Sequence, residues 1–148
     1  MKLEDRPPYS HAWAALLLRL LVGWIFLTEG IQKFLFPAAL GVGRFINIGI
    51  PYPHVTAPFV GVVEIACGML LMIGLVTRFA AVPLLIDISV AIATTKMPML
   101  LHQGFWPAMH EGRVDFAMLL GLIAILCIGP GRISCDAKRL WTANSRLQ

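Results

Sequence analysis

The sequence predicts an all-α integral membrane protein, a four-helix bundle with both termini on the cytoplasmic side. Three observations carry that prediction. Of the 148 residues, 58% are hydrophobic and only 14% charged, with a mean hydropathy of +0.78, well above that of an ordinary soluble domain of this size. Four apolar runs approach or exceed the roughly 20 helical residues needed to cross a hydrocarbon core about 30 Å thick. The cations are also unevenly shared: Lys2, Arg6, Arg78, Arg132, Lys138, Arg139 and Arg146 fall on the side of the termini, and Lys33, Arg44, Lys96 and Arg113 on the other. Because Lys and Arg are retained in the cytoplasm during insertion, seven against four directs both termini there.

The first span is expected over about 12–36. It reads as a mature helix, since its apolar run is too long for a signal peptide, holds Arg19 and lacks a small-residue cleavage site. Next, Pro37 to His54 mixes Gly41, Gly43 and Gly49 with Phe45, Ile46, Ile48 and Ile50, which predicts a short helix and a turn at the outer interface. The second span covers about 55–76, with Pro58 suited to its first turn. Gly74-Leu75-Val76-Thr77-Arg78 is short enough to force an antiparallel hairpin with the third span, 79–101, and Thr77 is placed to cap that helix. Pro83 and Pro98 lie inside the third span and predict a kink.

His102 to Gly112 is expected as a second external loop, with Phe105 and Trp106 as interface anchors. The fourth span, about 113–129, is the shortest. Its uncharged part, Phe116 to Gly129, covers roughly 21 Å, so Arg113 and Asp115 must sit near one interface to complete a crossing. Residues 130–148 form a cytoplasmic tail, and the chain reads as one membrane domain over 1–148, with no internal repeat.

An ionisable group in hydrocarbon costs on the order of 2.5 to 3.5 kcal/mol on insertion scales, so such groups are expected inside the bundle or paired. Here they are Arg19, Glu29, Lys33, Glu64, Asp87, Lys96, Arg113 and Asp115. Glu29 and Lys33 are four apart and able to pair on one helical face. Gly61, Glu64 and Gly68 share a face narrow enough for close helix approach with a carboxylate in it. On the third span Ala80, Pro83, Asp87, Ala91, Thr94 and Pro98 form a small or polar stripe expected to face inward, with Leu84, Ile88 and Ile92 elsewhere.

With the termini inside, Glu29, Lys33, Glu64, Lys96, Arg113 and Asp115 fall in the outer half beside His102, His110 and Glu111, while Arg19 and Asp87 lie deeper. These residues, His102 apart, are the candidate ligand-binding set: Arg19, Glu29, Lys33, Glu64, Asp87, Lys96, His110, Glu111, Arg113 and Asp115. They imply a polar pocket opening outward. The competing reading is of internal salt bridges that only hold the helices in register.

Other chemistries find little support. The formal charge of +4 comes from scattered cations and not from a dense cluster, so nucleic acid is not an expected partner. Cys67, Cys127 and Cys135 form no C-x-x-C and read as packing. His102, His110, Glu111 and Asp115 offer nitrogen and oxygen donors without a metal-binding spacing, so no metal is assigned. There is no phosphate loop, nucleophile elbow or haem-attachment motif.

Several motifs together resemble the DoxX family of small bacterial and archaeal membrane proteins. They are Arg19 and Gly23 followed by Glu29-Gly30-Ile31-Gln32-Lys33-Phe34, then Glu64 with Gly68, and Gly74-Leu75-Val76-Thr77-Arg78. Gly104-Phe105-Trp106 and His110-Glu111-Gly112-Arg113-Val114-Asp115-Phe116 are similar to a subgroup of it. The likeness runs from about Leu16 to Gly129 and implies a multi-pass protein of a bacterial or archaeal cell membrane, linked to respiration or redox chemistry through quinone. Arg19, Lys33 and Glu64 are carried over as family positions without catalytic roles. The expected partners are the lipid bilayer and a redox protein or a second copy of the chain. A non-enzymatic assembly factor is the alternative, and a small-solute carrier a weaker one, since four helices leave little room for a path.

Overall fold

The computed structural model describes residues 9–138, and side chains from residue 12 onward. The cations Lys2, Arg6, Arg139 and Arg146, counted above for topology, lie outside the described residues. Within them the chain is helical throughout: α1 is Tyr9–Leu35, α2 Val42–Asn47, α3 Pro53–Ile73, α4 Thr77–Ala91, α5 Met97–Gln103 and α6 Phe105–Ile128. A single π turn, Ile92–Lys96, runs straight from α4 into α5.

Three stretches are long and apolar enough to cross a membrane: Ala12–Leu35, Pro53–Ile73 and Thr77–Gln103. The fourth long helix, α6, has 24 residues and so measures about 36 Å. It carries Glu111, Arg113 and Asp115 in its first half. α1 packs on α3, α3 on α4, α4 on α6 and α6 on α1, which closes a ring of four long helices.

The α1–α3 seam is the most extensive. Gly23 and Gly30 on α1 meet Gly68 and Gly61 on α3 in antiparallel register. A Cβ at Gly23 would stand 2.7 Å from the Gly68 carbonyl oxygen, and one at Gly30 the same distance from that of Gly61. Only hydrogen fits at these crossings, so the stripe of small residues read from the second span does bring two backbones together. Val22 and Phe26 from α1, Leu71 from α3, Ala81, Leu84 and Ile88 from α4, and Met118, Leu122 and Ile125 from α6 fill the core.

Helix ends follow from local chemistry. Pro37 cannot donate a backbone hydrogen bond, and α1 stops just before it. Gly74 takes φ +69° and ends α3, its N–H and that of Leu75 returning to the last-turn carbonyls of Leu70 and Leu71. The short helix expected in the first loop is α2.

Four expectations need correction. The loop foreseen at His102 to Gly112 is helical except at Gly104, whose φ of +90° separates α5 from α6, and α6 starts at Phe105 rather than near 113. Charged residues marked that stretch as a loop, but within the helix Arg113 holds His110, and Asp115 pairs with Lys96 of the π turn. α3 begins at Pro53, so Pro58 lies inside the helix and Pro53 takes the first turn. Thr77 does not cap α4: the residue before the helix is Val76, with no side-chain cap of its own, and the cap comes from Asp136. Finally, Leu84 and Ile88 are core residues, 0% and 4% exposed. α4 has two inward faces, one in the apolar core and one carrying Pro83, Asp87 and Ala91 of the small and polar stripe, whereas Pro98, beyond the π turn, is exposed. The kink expected in the third span takes the form of the π turn, a local widening that offsets the register of α5 from α4.

Candidate functional site

A cavity of about 680 Å³ lies between the four long helices and the first loop. Its size is that of an ordinary small-molecule site. Glu29, Lys33, Glu64, Asp87, Lys96, Glu111 and Asp115 all line it, so seven of the ten candidate residues converge there.

Its polar centre is built by the α1–α3 seam. The close Gly30–Gly61 crossing draws α1 against α3, and Lys33 Nζ donates to both Glu64 oxygens, at 2.8 and 2.6 Å. The two side chains are 12% and 4% exposed. Asp87 approaches Glu64 from α4 and lines the same cavity. One ammonium and two carboxyl groups from three different helices thus meet in the bundle. Counted along the chain from the α3–α4 turn, Glu64 and Asp87 each lie ten residues away, about 15 Å, roughly half the thickness of a hydrocarbon core.

The expected Glu29–Lys33 pair does not form. Lys33 turns to Glu64, whose carboxylate is buried and takes both hydrogen bonds, and Glu29 makes no hydrogen bond or ion pair with a described residue. Nearer the α5 end, Lys96 Nζ and Asp115 Oδ2 pair at 3.3 Å between the π turn and α6, with exposed Glu111 at the rim. Between the polar groups the walls are apolar or weakly polar: Phe26, Phe59, Val63, Cys67 and Pro83, with Thr94 and Thr95 above.

Three candidates lie elsewhere. Arg113 donates to the His110 carbonyl at 2.8 Å and contacts the His110 ring at 2.9 Å, both residues on an exposed face of α6. Arg19 is 1% exposed, yet it belongs to the other end of the bundle, where it donates to the carbonyl of Ile133 and packs on Gly74 and Ser134. Its Nε and Nη1 meet no hydrogen-bond partner among the described residues.

Sequence reasoning missed Asp136. Its carboxylate accepts the backbone N–H groups of Val76 and Thr77, at 2.7 and 2.9 Å, and the Thr77 hydroxyl at 2.9 Å, while its own N–H donates to the Gly74 carbonyl. No local signal could have revealed it, because capping motifs are read within a few residues and Asp136 is 59 residues away. Arg44 of α2 and Phe59 of α3 were also missed as cavity residues; both look ordinary until the first loop folds over the bundle. Among the described residues no three His, Cys, Asp or Glu side chains are grouped to hold a metal ion.

The DoxX family model matches residues 14–97, more than half of the chain. The chain belongs to the DoxX family. That match takes in Arg19, the Lys33–Glu64 pair, Asp87 and both glycine crossings. The chain is 54% identical over 127 residues to "Uncharacterized membrane protein Rv3486" of Mycobacterium tuberculosis, a match covering 82% of this chain and 78% of that protein. It is 29% identical over 127 residues to "Putative oxidoreductase CatD" of Bacillus subtilis, covering 86% and 87% of the two chains. No solved structure matches it.

Proposed function

We propose that this DoxX protein is a redox-associated membrane subunit whose cavity receives the polar head of a quinone or a similar small organic carrier. The observation that carries the reading is the Lys33–Glu64 pair beside Asp87, enclosed near mid-bundle in a space large enough for a ring-sized ligand. The B. subtilis relative's name supports the redox side of it.

A carbonyl oxygen of the head group needs a hydrogen-bond donor, and the Lys33 ammonium has a third N–H beyond the two held by Glu64. Glu64 and Asp87 accept hydrogen bonds from a hydroxyl of the reduced form. Phe59 supplies flat apolar surface against a ring. When bound, a quinone would supply two-electron, two-proton chemistry, taking up both on reduction to the quinol. The protein's own residues bind, orient and exclude lipid, and a partner supplies the electrons.

The reading also puts the chain in a bacterial cell membrane with both termini cytoplasmic. Its relatives' organisms and the excess of cations on that side support this placement.

Substitution Glu64→Gln tests the reading against a purely structural role. Quinone affinity measured in nanodiscs is expected to fall at least tenfold for Glu64→Gln and for Lys33→Met. Unchanged affinity together with lowered thermal stability would show that the pair only holds helices together.

A further inference from the structure

The cavity has two kinds of edge. At the α5 end it is polar, with Lys96, Asp115 and exposed Glu111. On its flank it is apolar. Phe59 of α3 and Ile86 and Val90 of α4 all line the cavity, yet they are 67%, 61% and 45% exposed. They stand on the two helices of the α3–α4 hairpin, both in stretches apolar enough to lie in hydrocarbon. Apolar residues that line the cavity and are also exposed mark where it opens: Val114 of α6, 49% exposed, does so at the polar edge next to Asp115, and Phe59, Ile86 and Val90 do so on the apolar flank.

The hairpin's construction accounts for the opening on the flank. α3 and α4 are tied together at Gly74–Val76, and the flank residues lie well away from that turn. Val90 is 13 residues beyond Thr77 and Phe59 is 15 before Gly74, about 20 Å along each helix. Small and proline residues on the cavity face of α4, Pro83 and Ala91, leave the space between the helices unfilled.

Resting on the head-group reading above, we infer that the α3–α4 flank is a lipid-side portal, bounded by Phe59, Ile86 and Val90. Through it an amphiphilic ligand enters from the bilayer and leaves its apolar tail. The occupant is therefore a molecule with a compact polar head and a long apolar tail, and not a freely soluble small acid or sugar. Its head reaches Lys33, Glu64 and Asp87 while the tail stays among acyl chains, so no charged group has to cross lipid and no tail has to be buried in protein. Portal size then sets specificity: side-chain bulk at Ile86 discriminates between tailed and tailless ligands without touching the polar head.

Equilibrium binding in nanodiscs of fixed lipid composition tests this with two probes, a methyl-substituted benzoquinone without a tail and the same head with a ten-carbon tail. The wild-type chain is compared with Ile86→Trp and Ile86→Ala. The wild type is expected to bind both. Ile86→Trp should weaken the tailed probe at least tenfold relative to wild type and leave the tailless probe within about twofold. Ile86→Ala should keep wild-type affinity for both, and partition into lipid cancels because each probe is compared with itself. If Ile86→Trp leaves the tailed probe unchanged, or weakens both probes equally, the portal is wrong while the head-group site stands. If the wild type binds neither probe, the head-group reading fails and takes the portal with it.

Discussion

At the scale of single residues, two features are charged groups satisfied across long stretches of sequence. Lys33 and Glu64 form the first. Removing Lys33 leaves a carboxylate that is 4% exposed without its cation, which costs roughly 3 to 5 kcal/mol for a buried pair. Unfolding in detergent of Lys33→Met, Glu64→Gln and the double variant should therefore give a double variant clearly more stable than the two losses added together. Strict additivity would mean that the two side chains do not interact. Asp136 is the second. Val76 is β-branched and held at φ +46°, a conformation that costs such a residue on the order of 1 to 3 kcal/mol, and the Asp136 carboxylate takes its N–H. Val76→Asn, which keeps the N–H and tolerates the left-handed conformation, is expected to raise stability by about 1 kcal/mol. Asp136→Ala should lower it by about 1 to 2 kcal/mol, as loss of a helix cap does. Thermal denaturation of the two variants checks both signs.

At the scale of elements, the α1–α3 seam is set by backbone contact. Gly68→Val would drive a side chain to within 2.8 Å of the Gly23 carbonyl and 2.9 Å of the Leu27 backbone N, neither of which can move without shifting a helix. A loss of about 1 to 3 kcal/mol or more follows from overpacking. Gly112→Ala should cost less, because its Cβ meets the Phe116 ring at 2.9 Å and the Lys96 side chain, groups that can turn aside. Equal destabilisation of the two variants would contradict the seam. This seam was legible in the sequence, since Gly61, Glu64 and Gly68 fall on one face by angle alone. So were the three most apolar spans and the short helix after Pro37. The start of α6 was not: Glu111, Arg113 and Asp115 looked like the end of a span, and only the fold shows Asp115 answered by Lys96 and Arg113 by His110. Lys33 illustrates the same limit. Its spacing from Glu29 allowed a local pair, but which carboxylate wins depends on how closely α3 approaches.

At the scale of the whole molecule, the four helices have a polar centre reached from two sides, and an opposite end closed by the chain's own C-terminal segment. Arg19 holds the Ile133 carbonyl there and Asp136 holds the α3–α4 turn, so that segment, the turn and the first half of α1 share one end of the bundle. Cys135 in this segment is exposed. With that end in the cytoplasm, a membrane-impermeant maleimide should label Cys135 in inside-out vesicles and leave it unlabelled in intact cells; the reverse pattern would invert the proposed orientation. On this reading the buried Lys33–Glu64–Asp87 group exists to receive a ligand. Native mass spectrometry of the protein released from its own membranes in mild detergent decides whether it does. We expect a quinone-sized adduct on the wild-type chain that is lost in Lys33→Met while the variant remains folded; an adduct absent from both, or retained undiminished by folded Lys33→Met, would contradict the claim.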